Sequence, residues 1–154
     1  MRAEHLVGLV PTITRDTSGI EAAVLLAEHR LPAVVIVDAR GVPEAVIPGY
    51  QLLKIAVPAY VLEDPTLAHA YSEEDADELT ATLRVCTVGT LISDQQLSTL
   101  RPPQVHPDDT VMEVATAMLS GKFPMILCTD RTGTYLGTIT LSRVLGALAG
   151  SESV

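Results

Sequence analysis

The sequence has no tryptophan, one phenylalanine and four tyrosines, so aromatic residues make up only 3% of its 154 residues. Its apolar residues, 47% of the chain, are mainly aliphatic, as in strands and helices that pack in layers. The longest apolar stretch, 46–62, is interrupted by proline, glycine, glutamine and lysine. A membrane-spanning helix needs about 20 apolar residues, so we expect no direct membrane insertion.

Basic residues are scarce, with ten Lys and Arg against 19 Asp and Glu and a net charge of −9. Binding to DNA or RNA requires clustered cations that neutralise phosphates, and this balance argues against it. Cys86 and Cys128 lie alone in apolar surroundings, without the spacing of a metal or redox site. We interpret them as small buried residues in the reducing cytoplasm, since the apolar run before Pro11 is too short for a signal peptide.

An internal repeat relates two parts of the chain at a constant offset of 92 residues. The differences 124 − 32, 130 − 38 and 133 − 41 all equal 92, and they match three pairs of turn residues: Pro32 with Pro124, Asp38 with Asp130, and Gly41 with Gly133. The same register aligns helix-cap and core positions, such as Glu21 with Glu113 and Ile47 with Ile139. Two copies of about 50 residues, each too small to fold alone, therefore form one module.

Each copy predicts the same order of elements. Ser18 and Glu21, like Thr110 and Glu113, fit a capping box at the start of a helix. These helices are predicted to run to about residues 29 and 120, the second ended by Gly121. A proline and an apolar strand follow, then an Asp-x-x-Gly turn, a second strand (44–47 or 135–140) and a final helix (50–56 or 142–149).

The region between the copies is predicted to be a linker with an acidic helix. Residues 72–79 combine a capping serine with acids in the first helical turn, where the helix dipole favours negative charge. A divalent-cation site is the alternative, but the spaced oxygens and glycine of a calcium loop are missing. Arg101–Gln104 is a stiff connector. The predicted organisation is repeat 1 at 1–62, linker at 63–100 and repeat 2 at 101–154.

The ordered set of capped helix, Pro-strand, Asp-x-x-Gly turn, Tyr-Leu-Gly-Thr-Ile-Thr and last helix resembles a cystathionine-β-synthase (CBS) domain. The second copy, 105–148, carries the stronger likeness, and the first, 10–55, follows through the repeat. The resemblance implies a tandem CBS pair, or Bateman module. That is an α/β fold of two β-α-β-β-α repeats packed sheet to sheet with pseudo-twofold symmetry. It also implies a homodimer without catalytic activity that regulates another protein by binding an adenosine compound between its repeats.

The family's nucleotide signature, Gly-x-(Ile/Val)-Thr-x-x-Asp, is only partly kept. The second copy retains Gly137 and Thr140, but Arg143 replaces the aspartate that would accept hydrogen bonds from ribose hydroxyls. An arginine there is suited to a phosphate or another anion, or to an ion pair on the surface. In the first copy, Pro48 replaces the threonine and Gln51 the aspartate. Any ligand is therefore expected to prefer the second copy.

The resemblance also implies which residues contact a ligand. Besides Gln51, Thr140 and Arg143 these are Ile13, Thr14, Pro32, Ala33, Val34, Val105, His106, Pro124, Met125, Ile126 and Ser142. The other interpretation of the apolar positions is that they are simply core, and of His106 that it is an exposed loop residue.

Three functions remain open at this point. The first is a stand-alone regulatory protein that senses AMP, ADP, ATP or S-adenosylmethionine, requires no cofactor and modulates a separate enzyme or transporter. The second is a ligand-free dimerisation or protein-interaction module with degenerate sites. The third is an enzyme, but no nucleophile elbow, phosphate loop or His-Glu-x-x-His motif is present. His69 and Glu73 are four residues apart, yet Pro65 and Ser72 argue against a continuous helix.

Overall fold

The computed structural model describes residues 1–150, apart from the side chains of Ala76 and Leu79. The last four residues of the predicted second repeat, 151–154, lie outside this range. The described elements are α1 (Ala3–Leu6), α2 (Gly19–His29), β1 (Ala33–Val37), β2 (Pro43–Pro48), α3 (Gly49–Ala56), α4 (Ala59–Glu63), a 3₁₀ helix (Pro65–Ala70), α5 (Asp75–Leu79), α6 (Ala81–Val85), α7 (Val88–Ser93), β3 (Gln104–Val105), α8 (Val111–Gly121), β4 (Met125–Thr129), β5 (Tyr135–Thr140) and α9 (Leu141–Leu148).

The two sheets follow the predicted repeat. Strands β1 and β2 form an antiparallel hairpin, and β4 and β5 form another, with β3 parallel to β4. The first repeat has a single parallel bridge, between Ile13 and Ile36, where the second repeat has β3. The equivalent pair in the second repeat, 92 residues later, is Val105 with Cys128. The predicted α/β fold of two repeats is confirmed.

Three apolar cores hold these layers together. In the first, α2, α3 and the linker helices cover one face of the β1–β2 sheet, with Ile36 and Leu91 fully buried. In the second, α8 and α9 cover the other sheet around Ile126 and Ile139. The third lies between the sheets and contains Ala33, Val35, Val46, Met125 and Leu127. The repeats are therefore packed sheet to sheet.

The predicted helix starts are present, and one predicted helix end differs. Ser18 Oγ accepts a hydrogen bond from Glu21 N–H, and Thr110 Oγ1 accepts one from Glu113 N–H, each at 3.2 Å. The second helix does not end because of a left-handed Gly121. Lys122, with φ 51°, is its left-handed cap. Gly121 instead allows close packing, because a Cβ there would lie 2.7 Å from Pro103 Cδ.

Each repeat pairs with the segment that precedes the other repeat in the chain, so the two leading segments are exchanged. Gly8 pairs with Thr138 in the sheet of the second repeat, and Leu100 pairs with Val46 in that of the first. The differences 100 − 8 and 138 − 46 are both 92, so the exchange obeys the repeat symmetry. Helix α1 packs in the second core and α7 in the first. The predicted domain limits stay a prediction, but residues 3–8 pack with the second repeat.

The linker contains several short helices, and the predicted acidic helix is α5, which begins at Asp75 rather than directly after Ser72. Helix α5 has Asp75, Asp77 and Glu78 in its first turn, as the capping interpretation expects. His69 lies in the 3₁₀ helix that ends at Ala70, so it shares no helix with Glu73. Cys128 is fully buried, whereas Cys86 is only half-buried, and neither forms a disulfide. None of the helices within residues 1–150 is both long and apolar enough to span a bilayer.

Candidate functional site

Thr140, the retained signature residue, lies at the junction between β5 and α9. It is the N-cap residue of α9, and its Oγ1 lies 3.1 Å from Ser142 Oγ. The carbonyl of Pro124 accepts a hydrogen bond from Leu141 N–H at 3.0 Å, which brings the start of β4 to the same place. The structure thus gathers Pro124, Thr140 and Ser142 at the amino end of an eight-residue helix, where two hydroxyls and the helix dipole favour an anion.

Arg143 lies in the first turn of α9, and its side chain is hydrogen-bonded to the exchanged N-terminal segment. Its Nη1 donates to the carbonyl oxygens of Leu6 and Val7, at 3.4 and 3.3 Å. The guanidinium also lies against Gly8, where a Cβ would be 3.1 Å from Nη2. Arg143 therefore ties α9 to the segment that completes its sheet, and only Nε and Nη2 remain for an anion.

Gln51 makes the equivalent contact in the first repeat. This side chain is buried, and its Oε1 accepts a hydrogen bond from the backbone N–H of Ser98 at 3.3 Å. Since 143 − 51 and 98 − 6 both equal 92, Gln51 is to Ser98 as Arg143 is to Leu6. Both positions where the family pattern has a ribose-binding aspartate thus hold an exchanged segment in place.

The apolar residues predicted to line an adenine pocket lie in the three cores. Ile13 and Val34 belong to the first core, Val105 and Ile126 to the second, and Ala33 and Met125 to the layer between the sheets. Each is at most 3% exposed, so a place in the hydrophobic core is enough to explain why these residues are apolar. Their role in ligand binding stays a prediction.

The remaining predicted residues lie nearer the surface. Pro32 is half-buried, and its carbonyl accepts a hydrogen bond from Gly49 N–H, while Thr14 is exposed. His106 is exposed, and its Nδ1 lies 3.1 Å from the carbonyl oxygen of Thr129. Its backbone N–H donates to Asp109 Oδ2 at 2.8 Å, so the histidine is fixed in the loop before α8.

A polar cleft between the repeats is lined by residues that were not among the predicted site residues. Its cavity of about 350 Å³ is lined by Arg15, Pro43, Glu44, Ala45, Arg101, Pro102, Gln104 and Leu127. Arg15 Nε donates to Glu44 Oε2 at 2.8 Å. The sequence does contain a signal for this cleft, because its two arginines have no charged counterpart in the other copy. The 92-residue register aligns Arg15 with Pro107 and Arg101 with Leu9.

The carboxylates with lowered pKa values belong to turns and caps. Hydrogen bonds from Val42 N–H and Arg40 N–H lower the pKa of Asp38, and the Thr132 hydroxyl lowers that of Asp130. Thr110 does the same for the Glu113 carboxyl. Across the described part of the chain, no three His, Cys, Asp or Glu residues are grouped so that they could hold a metal ion.

Comparison with known proteins agrees with this geometry. A sequence profile of the CBS domain matches residues 95–150. No curated protein matches the sequence significantly. Among solved structures, a CBS domain-containing protein of unknown function from Kribbella flavida is 34% identical with a TM-score of 0.81, and the match covers 97% of this chain and 99% of that one.

Two more distant structures share the fold. CBSX2 from Arabidopsis thaliana, in complex with AMP, is 17% identical with a TM-score of 0.66 over 97% of this chain and 96% of that one. The CBS domain pair of MJ0100, in complex with 5′-methylthioadenosine and S-adenosyl-L-methionine, is 18% identical with a TM-score of 0.63 over 97% of each chain. The repeat, the paired sheets and the Kribbella relative together show that this chain belongs to the CBS-domain family, as a tandem CBS pair.

Proposed function

We propose that the protein is a stand-alone regulatory CBS pair of the cytoplasm that binds an adenosine nucleotide, AMP, ADP or ATP, or S-adenosylmethionine. In this proposal it modulates a separate enzyme or transporter and has no catalytic activity of its own. The observation that carries the proposal is the retained Thr140, which is the N-cap residue of α9 in a fold shared with CBSX2 bound to AMP.

The second repeat is the proposed ligand site, since the first has no hydroxyl at Pro48. Thr140 and Ser142 offer hydroxyls to a phosphate, and the N-terminus of α9 adds backbone donors. Arg143 is a residue of α9, and its side chain donates hydrogen bonds to the carbonyl oxygens of Leu6 and Val7 in the exchanged segment. A phosphate that draws the guanidinium away from those carbonyls would loosen the segment, which gives ligand binding a route to a change of shape.

Thermal unfolding and isothermal calorimetry with AMP, ADP, ATP and S-adenosylmethionine test this proposal. We expect one of the four to raise the unfolding temperature, and Thr140→Val to weaken its binding by about tenfold. Thr116→Val is the matched control, because Thr116 lies on an exposed helix face and its hydroxyl donates to Met112 O, within its own helix. No response to any of the four compounds from folded protein would refute the proposal.

Three further measurements add to this test. Because the chain lacks tryptophan, nucleotide carried through purification would stand out as absorbance near 260 nm. Arg143→Ala is expected to weaken a phosphate-bearing ligand more than adenosine, and an equal loss for both would exclude an anion role for Arg143. A broad hydrolase screen is expected to show no turnover.

A ligand-free dimerisation or protein-interaction module is the second proposal. Two observations favour it: Gln51 and Arg143 are already engaged inside the chain, and α3 and α9 expose leucines at matched positions. Leu53 is 65% exposed and Leu145 is 55% exposed, as expected of a face that pairs with a second copy. Light scattering should report a homodimer that Leu53→Glu with Leu145→Glu converts to monomer, and an unchanged mass would refute this interface.

A further inference from the structure

The negative charge of the molecule is concentrated in the linker between the two repeats. Residues 57–80 contain no Lys or Arg and seven of the 19 acidic residues: Glu63, Asp64, Glu73, Glu74, Asp75, Asp77 and Glu78. Since 19 − 7 leaves 12 acids against ten basic residues, the rest of the chain has a charge of only −2. The linker is thus a strongly negative surface beside nearly neutral repeats, and it attracts cations.

Most of the linker carboxylates are not engaged by the protein itself. Two of them are turn or cap residues, because Asp64 accepts a hydrogen bond from Thr66 N–H at 3.2 Å and Asp75 accepts one from Ser72 N–H at 2.7 Å. The other five are exposed, and none forms an ion pair with a residue that the structure describes. Their charge therefore remains available to a partner.

Apolar side chains are exposed in the same segment. Tyr60 is 53% exposed, Leu62 is 54% exposed and Leu67 is 40% exposed. Val61, between the first two, is the only buried residue among those of 57–80 whose side chains the structure describes. Helix α4 is thus anchored by one side chain while its neighbours face the solvent. Burial in the protein's own core does not explain these exposed apolar residues.

A ring contact gathers the exposed apolar residues into one compact unit. The rings of Tyr60 and Tyr71 stack with their centroids 6.5 Å apart, and α4 packs against the 3₁₀ helix that follows it. Residues 60–71 therefore fold back on themselves, with Leu62 and Leu67 inside the closed stretch. We call residues 60–71 the tyrosine unit. It presents an apolar surface that is bordered by unpaired carboxylates.

We propose that this surface, the tyrosine unit together with the acids of the linker, docks a basic segment of a partner protein in which Lys or Arg residues alternate with apolar ones. The partner's apolar side chains would cover Tyr60, Leu62 and Leu67, and its cations would pair with the free carboxylates. Nucleic acids and anionic membranes are unsuitable occupants, because their phosphates are repelled by this charge. The inference rests on the proposed regulatory function, since it names the surface where the modulated protein docks.

Fluorescence anisotropy with a labelled peptide of alternating lysine and leucine tests the docking surface, with a lysine–serine peptide of equal length and charge for comparison. We expect the lysine–leucine peptide to bind about tenfold more tightly, and less tightly as salt is added. Glu73→Gln with Glu74→Gln should weaken its binding by about tenfold, and Leu62→Ser by about fivefold.

Matched controls remove the same groups from other places. Glu28→Gln with Asp94→Asn removes two exposed carboxylates outside the linker, and Leu119→Ser removes an exposed leucine from α8. Both control variants should bind the lysine–leucine peptide as the unmodified protein does. Equal weakening by the control and linker variants overturns the proposal, because the peptide is then held elsewhere or by overall charge.

The remaining outcomes are equally decisive. Failure of the lysine–leucine peptide to bind overturns the proposal. Equal binding of the two peptides, with no effect of Leu62→Ser, also overturns it, because charge alone would then explain the contact. An AMP response without any peptide binding overturns the docking surface and leaves the nucleotide function standing. Specific peptide binding without a response to AMP, ADP, ATP or S-adenosylmethionine supports the docking surface and refutes the nucleotide function.

Discussion

Gly137 in β5 and Gly8 in the exchanged N-terminal segment approach so closely that a Cβ on Gly137 would lie 2.9 Å from the carbonyl oxygen of Gly8. The same Cβ would overlap Val7 Cγ1. Gly8 N–H donates to Thr138 O at 2.8 Å, and Thr138 N–H donates back to Gly8 O at 3.0 Å. The glycine of the family signature therefore has a structural task here, which is to let the exchanged segment pair with β5.

Gly137→Ala should destabilise the protein by about 2–4 kcal/mol, because the added methyl group forces Val7 and Gly8 away from β5. Gly133→Ala is the matched control. Gly133 also has a positive φ, 86°, but no atom lies within 4 Å of the added Cβ, so we expect a cost of about 1 kcal/mol. Urea denaturation measures both, and equal losses would contradict the close-approach argument.

Arg143→Ala should lower the free energy of unfolding by about 1–2 kcal/mol, since it removes the hydrogen bonds to Leu6 and Val7. Hydrogen exchange of the amides of residues 6–9 should rise at the same time, because these residues lose their side-chain anchor. Arg131→Ala, an exposed turn substitution, is expected to stay within about 0.5 kcal/mol of the unmodified protein. Unchanged exchange at residues 6–9 would show that Arg143 does not anchor the segment.

Leu127→Ala should cost about 2–5 kcal/mol, because it opens a cavity in the layer between the sheets, where Leu127 is 2% exposed. Neither repeat covers its own inner sheet face, so both are expected to unfold in a single transition. Circular dichroism in urea measures this loss. Leu119→Ala, at a helix position that is 77% exposed, should have little effect. Two separate transitions would mean that the repeats fold independently.

Acid should destabilise the protein through the turn and cap carboxylates. Hydrogen bonding lowers the pKa of Asp130 below its usual value in the folded state, so its contribution is present above about pH 4 and is lost as the pH falls further. Asp130→Ala should therefore lower the unfolding temperature at pH 7 and have progressively less effect as the pH approaches 3. Asp130→Asn, which keeps an acceptor for Thr132 N–H and Thr134 N–H, separates the hydrogen bonds from the charge. An Asp130→Ala effect that does not change with pH would contradict this assignment.

The sequence predicted the repeat-internal structure because local rules determine it. Capping boxes, apolar strand segments and Asp-x-x-Gly turns recur at one offset, and each hairpin pairs in the same register, Val34 with Ile47 and Ile126 with Ile139. Helix ends were predicted to within about one residue, and the difference at Gly121 arose because Lys122 takes the left-handed conformation.

The exchange of leading segments could not be predicted in this way. Helices α1 and α7 depart from the 92-residue register, since 88 − 3 equals 85, and each packs against the repeat that is not next to it in the chain. Long-range packing of a four- or six-residue helix leaves no periodic pattern in the sequence. The hydrogen bond of Gln51 with Ser98 depends on that exchange, so the sequence could not show this internal contact, and the ligand contact of Gln51 stays a prediction.

The exchange also bears on how such a molecule could arise from one repeat. A single copy would leave the edge of its second strand open and part of its helical core uncovered, and it would complete both only by trading leading segments with another copy. Joining two copies in one chain makes that trade intramolecular, so it no longer depends on protein concentration. Because the two copies are joined in one chain, their equivalent positions need not be identical, and the 92-residue register accordingly aligns Arg101 with Leu9.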